Sequence, residues 1–97
     1  MKEVVTVSQQ PTISFQEVDP DKFYGVERWD TKGFITRPYY NHGDYQARSL
    51  HKLTIGNCFS IHGEANLGKF VKKLVESPNT KVFEFETAQE LMSWLAE

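Results

Sequence analysis

Up to His62 the apolar residues recur at strand-like spacing, and from Leu67 onward much of the chain shows the longer spacing of a helix. Val4 to Val7 is a short β-rich run, broken by Gln9-Gln10-Pro11. Thr12 to Val18 alternates, with Ile13 and Phe15 on one side and Ser14 and Gln16 on the other, the period of a half-buried strand. Asp19-Pro20-Asp21 reads as a turn, because proline presets φ and aspartate bonds its own backbone. Phe23 to Trp29 and Phe34 to Tyr40 flank Asp30-Thr31-Lys32-Gly33, whose opening Asp and closing Gly predict a hairpin. Pro38 would then sit on an edge or at a strand end, since it has no N–H for a ladder. Asn41 to Arg48 is polar and reads as a loop. Alternation resumes over Leu53 to His62 as one long strand with a weak point at Gly56-Asn57. A hairpin turning there is the alternative, but it would set Leu53 opposite Ser60 and mix the faces.

Leu67, Phe70, Val71, Leu74 and Val75 follow i, i+3, i+4, i+7 and i+8, which predicts an amphipathic helix ending before Pro78. Lys81 to Glu86 is a strand, with Phe83 and Phe85 on one face. Thr87 with Glu90 three residues on forms a capping box for a last helix that buries Leu91 and Leu95. Strands first and then αβα predict a single α+β domain over residues 1–97. The expected architecture is a mostly antiparallel sheet of about five strands, with two C-terminal helices packed on one face and a polar opposite face.

Composition narrows the function classes. Eleven Lys and Arg stand against thirteen Asp and Glu, for a net charge of −2, and the two halves of the chain carry a similar balance. Long-range attraction to nucleic acid or to an anionic membrane is therefore not expected. Val82 to Glu97 carries four glutamates and no Lys or Arg, an end suited to a basic partner. The lone cysteine, Cys58, excludes an intramolecular disulfide, and no apolar run reaches the length of a signal peptide or a membrane span. The chain reads as cytoplasmic, as a monomer or homodimer, with no cofactor.

Several stretches resemble chemistry and fail on geometry or context. Gly63-Glu64-Ala65-Asn66-Leu67-Gly68-Lys69 has the spacing of a phosphate-binding loop, but Phe70 stands where Ser or Thr would hold magnesium. The plainer reading is a helix start with Glu64 near the positive end of the dipole. His42, His51, Cys58 and His62 are possible metal ligands. Cys58 and His62 lie about 13 Å apart along a strand, however, and two ligands of one zinc must come within about 4 Å. The same distance rules against Cys58 and His62 as nucleophile and base. His42 with Asp44 is the remaining acid–imidazole pair, for which an active pocket would have to form between subunits. No metal site and no catalytic residue is therefore assigned.

Of the thirteen aromatic residues, seven fall between Phe23 and Tyr45: Phe23, Tyr24, Trp29, Phe34, Tyr39, Tyr40 and Tyr45. A hairpin alternates its faces, so these rings cannot all enter one core. Tyr and Arg are enriched at binding hot spots because they offer large contact area with a polar tip. Arg37, Tyr39, Tyr40, His42, Tyr45 and Arg48 are accordingly the candidate contacts to a protein partner. The expected function is a non-catalytic regulator or inhibitor. Small standalone domains of this kind are often encoded by phages or mobile elements. The alternative is nucleic-acid or nucleotide binding through the same rings plus Lys69, Lys72 and Lys73, which share one helix face. Net charge argues against it, and such lysines are often only the solvated side of a helix.

Overall fold

The computed structural model of the chain describes residues 1–5, 13–14, 17–29, 31–36, 44–51, 54–58 and 63–97. Its strands are β1 (Lys2–Val5), β2 (Ile13–Ser14), β3 (Phe23–Arg28), β4 (Thr31–Thr36), β5 (Gln46–His51), β6 (Thr54–Cys58) and β7 (Thr80–Phe85). Helix α1 (Leu67–Glu76) precedes β7, and α2 (Ala88–Leu95) follows it. The α+β class and the mostly antiparallel sheet are as expected. Among the described residues the sheet holds seven strands in the order β2-β1-β7-β3-β4-β5-β6, and of their pairings only β1 with β2 is parallel.

β7 lies in the interior of the sheet and carries apolar residues on both faces. Val82 points one way and Phe83 and Phe85 the other, so the strand needs cover on both sides. This overturns the expectation that both helices pack on one face. Helix α1 buries Leu67, Phe70, Val71 and Leu74 with Val4, Tyr24, Val26, Ala47 and Val82. Helix α2 buries Leu91 and Trp94 with Phe85 on the opposite face, where Phe23, Phe34 and Phe83 join them. The second face is therefore apolar where α2 covers it. Phe70, Val71 and Leu74 are fully enclosed, and each contributes roughly 1.5–3 kcal/mol of apolar burial.

The β3–β4 hairpin forms, but its turn falls earlier than Asp30 to Gly33. Arg28 pairs with Thr31, and Thr31, Lys32 and Gly33 belong to β4. This register sends Phe34 to the α2 cluster and Ile35 to the α1 core. A shift of one residue would exchange those faces. Trp29 consequently takes φ 54, while no described glycine has a positive φ. The predicted loop over Asn41 to Arg48 also needs correction, since Gln46, Ala47 and Arg48 open β5 and Ala47 is buried opposite Ile35. Gly56 and Asn57 lie inside β6, so no hairpin turns there; β5 and β6 meet at His51 and Thr54. Within Thr12 to Val18, the described strand is Ile13–Ser14, and Val18 packs on the α1 core.

The Asp19 turn is as expected and is tied into the sheet. The Asp21 N–H donates to Asp19 Oδ1 at 2.8 Å, and the Lys22 N–H to the Asp19 carbonyl at 3.0 Å. The Asp19 N–H donates to the Tyr24 hydroxyl at 2.7 Å, which in turn donates to Glu84 Oε2 at 2.8 Å. Glu84 is thereby buried with a partner on β3.

Candidate binding site

An open hollow lies where α1 begins. Gly63 makes it possible: a Cβ there would stand 2.7 Å from Asp44 Cβ and 2.9 Å from the Tyr45 carbonyl oxygen, so only glycine lets this segment lie against the start of β5. The Tyr45 N–H then donates to the Glu64 carbonyl at 2.7 Å. Asn66 caps α1, its side chain accepting the Lys69 N–H at 3.0 Å. Beyond the cap, α1 carries Lys69 and Lys72 outward on exposed positions. The hollow encloses about 650 Å³, with Val18, Pro20, Tyr45 and Leu67 as its apolar lining and Lys69 and Lys72 as its charged lining. Glu64 stands near this cluster of cations. Its carboxylate is bonded by Lys73, which holds it below the usual carboxylate range, with Lys69 adding to the effect.

The structure regroups the residues expected from the sequence. Arg37, Tyr39, Tyr40 and His42 lie outside the described residues. Tyr45 and Arg48 are both described, but they stand on opposite faces of β5. Tyr45 packs against the α1 core, whereas Arg48 pairs with Phe34 and donates to Gln46 Oε1 at 3.0 Å. Lys69 and Lys72 join Tyr45 at the hollow, while Lys73 is turned to Glu64. Tyr45 from the aromatic segment and two of the three lysines thus meet in a single place. The phosphate-loop spacing is a capped helix start instead. Gly68 is helical, no glycine there has the positive φ of an anion-cradling nest, and Asn66 already occupies the Lys69 amide. Asp44 is exposed, and its proposed partner His42 lies outside the described residues, as does His62. Among the described residues no three His, Cys, Asp or Glu groups gather in a way that could hold a metal ion.

Two features escaped the sequence reading. Trp29 is 72% exposed at the β3–β4 turn, beside an open hollow of about 430 Å³ that includes Glu27, Asn79 and Lys81. It was counted in a strand, and only an earlier turn would have marked it as a protruding ring. Lys32, expected in the turn, instead donates from Nζ to the Trp94 carbonyl at 2.9 Å and lies 4.7 Å from the centre of the Trp94 ring. It thereby closes the C-terminal end of α2. The acidic C-terminal stretch borders a separate hollow of about 530 Å³ that includes Glu90, Ser93 and Glu97. A smaller cavity of about 300 Å³, lined by Phe23, Phe34, Tyr45, Leu67 and Leu91 among others, lies where α1 and α2 approach one end of the sheet.

Among the described residues no helix is long and apolar enough to cross a membrane. No protein-family model matches the chain, and no curated protein or solved structure does so either.

Proposed function

We propose that this chain is a non-catalytic binding module that docks a protein partner through the hollow beside α1, acting as a small cytoplasmic regulator or inhibitor. One observation carries the reading: Tyr45, just ahead of β5, and Lys69 and Lys72 from α1 line a single open hollow with an apolar lining. A tyrosine provides contact area and a polar tip, and lysines at the edge steer and orient a partner more than they add affinity. The described lining holds no His, Cys, Ser or carboxylate, which favours docking over chemistry. The same lysines beside a ring also suit nucleic acid as a second reading, which the net charge of −2 opposes.

The test is affinity capture from lysate of the source cells, with and without nuclease treatment. The wild-type chain is compared with Lys69→Glu/Lys72→Glu, with Tyr45→Ala, and with Trp29→Ala at the far end of α1. The expected result is a protein recovered by the wild type and by Trp29→Ala but lost from the two hollow variants. Recovery of the same protein by all four would refute the site, and loss of the protein on nuclease treatment would favour the second reading.

A further inference from the structure

We propose that the smaller cavity, where the α1 and α2 cores meet, binds a small neutral aromatic molecule of one or two rings bearing a hydroxyl or N–H group. The inference goes beyond the docking role and does not depend on it. The cavity exists because two strands part. β3 and β4 pair from Arg28 with Thr31 as far as Gly25 with Phe34, and their register stops there. β3 nevertheless begins at Phe23, and its Phe23 and Tyr24 pair with Phe85 and Glu84 of β7. β4 likewise runs on, its Ile35 and Thr36 pairing with Ala47 and Gln46 of β5. Each strand follows its other neighbour, so a wedge opens between them. Phe23, Tyr24, Ile35 and Thr36 all line the resulting space of about 300 Å³.

Neither core closes the wedge. Tyr24, Ile35, Tyr45 and Leu67 belong to the α1 core, and Phe23, Phe34 and Leu91 to the α2 cluster, yet all of them border this one space. Protein interiors leave few voids larger than a water molecule, so an apolar space of this size between two cores suits an occupant. An apolar cavity of about 150 Å³ takes up benzene, and one of twice that volume has room for a larger ring. The polar groups define the rest of the ligand. Lys22 is the charged residue of the described lining, and Glu86 already holds it, so a charged ligand would lose its water for little return. The Thr36 hydroxyl donates to the Gln46 carbonyl at 3.2 Å, which leaves its oxygen to accept from a ligand O–H or N–H.

The probe is indole, titrated against the full chain carrying isotope-labelled Ile, Leu and Val methyl groups, with benzoate as the charged comparison. Pro20, Tyr45 and Leu67 border both this cavity and the α1 hollow, whereas Ile35 and Leu91 border the cavity and Val18 the hollow, so the methyl signals separate the two places. The expected result is a saturable shift of the Ile35 and Leu91 methyls with indole, a thermal midpoint that rises with indole concentration, and binding of benzoate about tenfold weaker or less. Ile35→Phe, which fills the wedge, should abolish the response at Leu91. Thr36→Val, which keeps the shape and removes the acceptor, should weaken indole about threefold or more. Circular dichroism checks that each variant is folded, and Thr36→Val decides if Ile35→Phe is not. No saturable shift, shifts confined to Val18 and Leu67, benzoate binding as tightly as indole, or a folded variant that binds indole as the wild type does would each overturn the proposal. The capture experiment reads the docking role separately, since a partner lost from the hollow variants says nothing about indole.

Discussion

Replacing Gly25 by alanine tests the packing of α2 at its tightest point. The added Cβ would lie 2.4 Å from Trp94 Cζ3, 2.9 Å from Cε3 and 3.1 Å from Phe85 Cε2. Carbon atoms in contact settle at about 3.5–4.0 Å, so the indole must retreat by about 1 Å. It has little freedom to do so. The ring lies 5.6 Å from Phe83 and 5.4 Å from Phe85 between centroids, and Lys32 holds the Trp94 carbonyl. Overpacking of this kind costs about 1–3 kcal/mol. The stiffer unfolded chain returns about 0.4–1 kcal/mol, since Gly25 has no positive φ to forbid alanine. The net expectation is a loss of about 0–2.6 kcal/mol, centred near 1.3 kcal/mol or about 5–10 °C in Tm for a domain of this size. Urea melts followed by circular dichroism measure it. Emission from Trp94, isolated in a Trp29→Phe background, should shift to the red as the ring loosens. In a Trp94→Leu background the clash is gone, and Gly25→Ala should become neutral or slightly stabilising, a coupling of about 1 kcal/mol or more. A Gly25→Ala chain as stable as wild type, with unchanged Trp94 emission, would refute the placement of α2 against β3.

Two further outcomes are expected. Burial pushes the Tyr24 hydroxyl well above its ordinary value, so the folded state keeps that proton when the unfolded chain has lost it. Stability is then full below about pH 10 and falls as pH rises beyond it, a slope that Tyr24→Phe removes while losing about 1–3 kcal/mol at neutral pH because Glu84 forfeits its donor; urea midpoints between pH 8 and 11 for both chains measure this. Trp29→Asn should stabilise the fold by up to about 1 kcal/mol in urea melts, since asparagine tolerates positive φ and the exposed ring gives up little burial; a loss of stability would show that the indole is held by the fold.

How much was legible depended on whether the deciding interaction was local. Helix α1 could be read from the spacing of Leu67, Phe70, Val71 and Leu74, and α2 from its cap: the Glu90 N–H donates to Thr87 Oγ1 at 3.1 Å. Both are settled within a few residues of sequence. The β3–β4 turn was misplaced because Asp30 and Gly33 carry good turn chemistry, yet the burial of Phe34 and Ile35 on opposite faces decides the register. β5 was hidden because its buried residue near the start is only Ala47, set between Gln46 and Arg48. The split of the helices between faces was readable in principle, since β7 sets Val82 on one side and Phe83 with Phe85 on the other. The hollow was not. Tyr45 and Lys69 meet only because Gly63 lets two backbone segments touch, and no periodicity reports such a contact.

The position of β7 also sets an order of events for a nascent chain. With residues 1–79 made, β1 and β3 exist as segments without the strand that bonds to both of them. The meander from β3 to β6 can pair from neighbours in sequence, but β1 has to wait, unjoined to that meander, until Thr80–Phe85 slides between them. Such late, long-distance insertion slows folding and leaves sticky strand edges open in the meantime. Cells making this protein therefore have reason to shield the half-built sheet, and any change that delays α1, the link delivering β7, would lengthen that exposure.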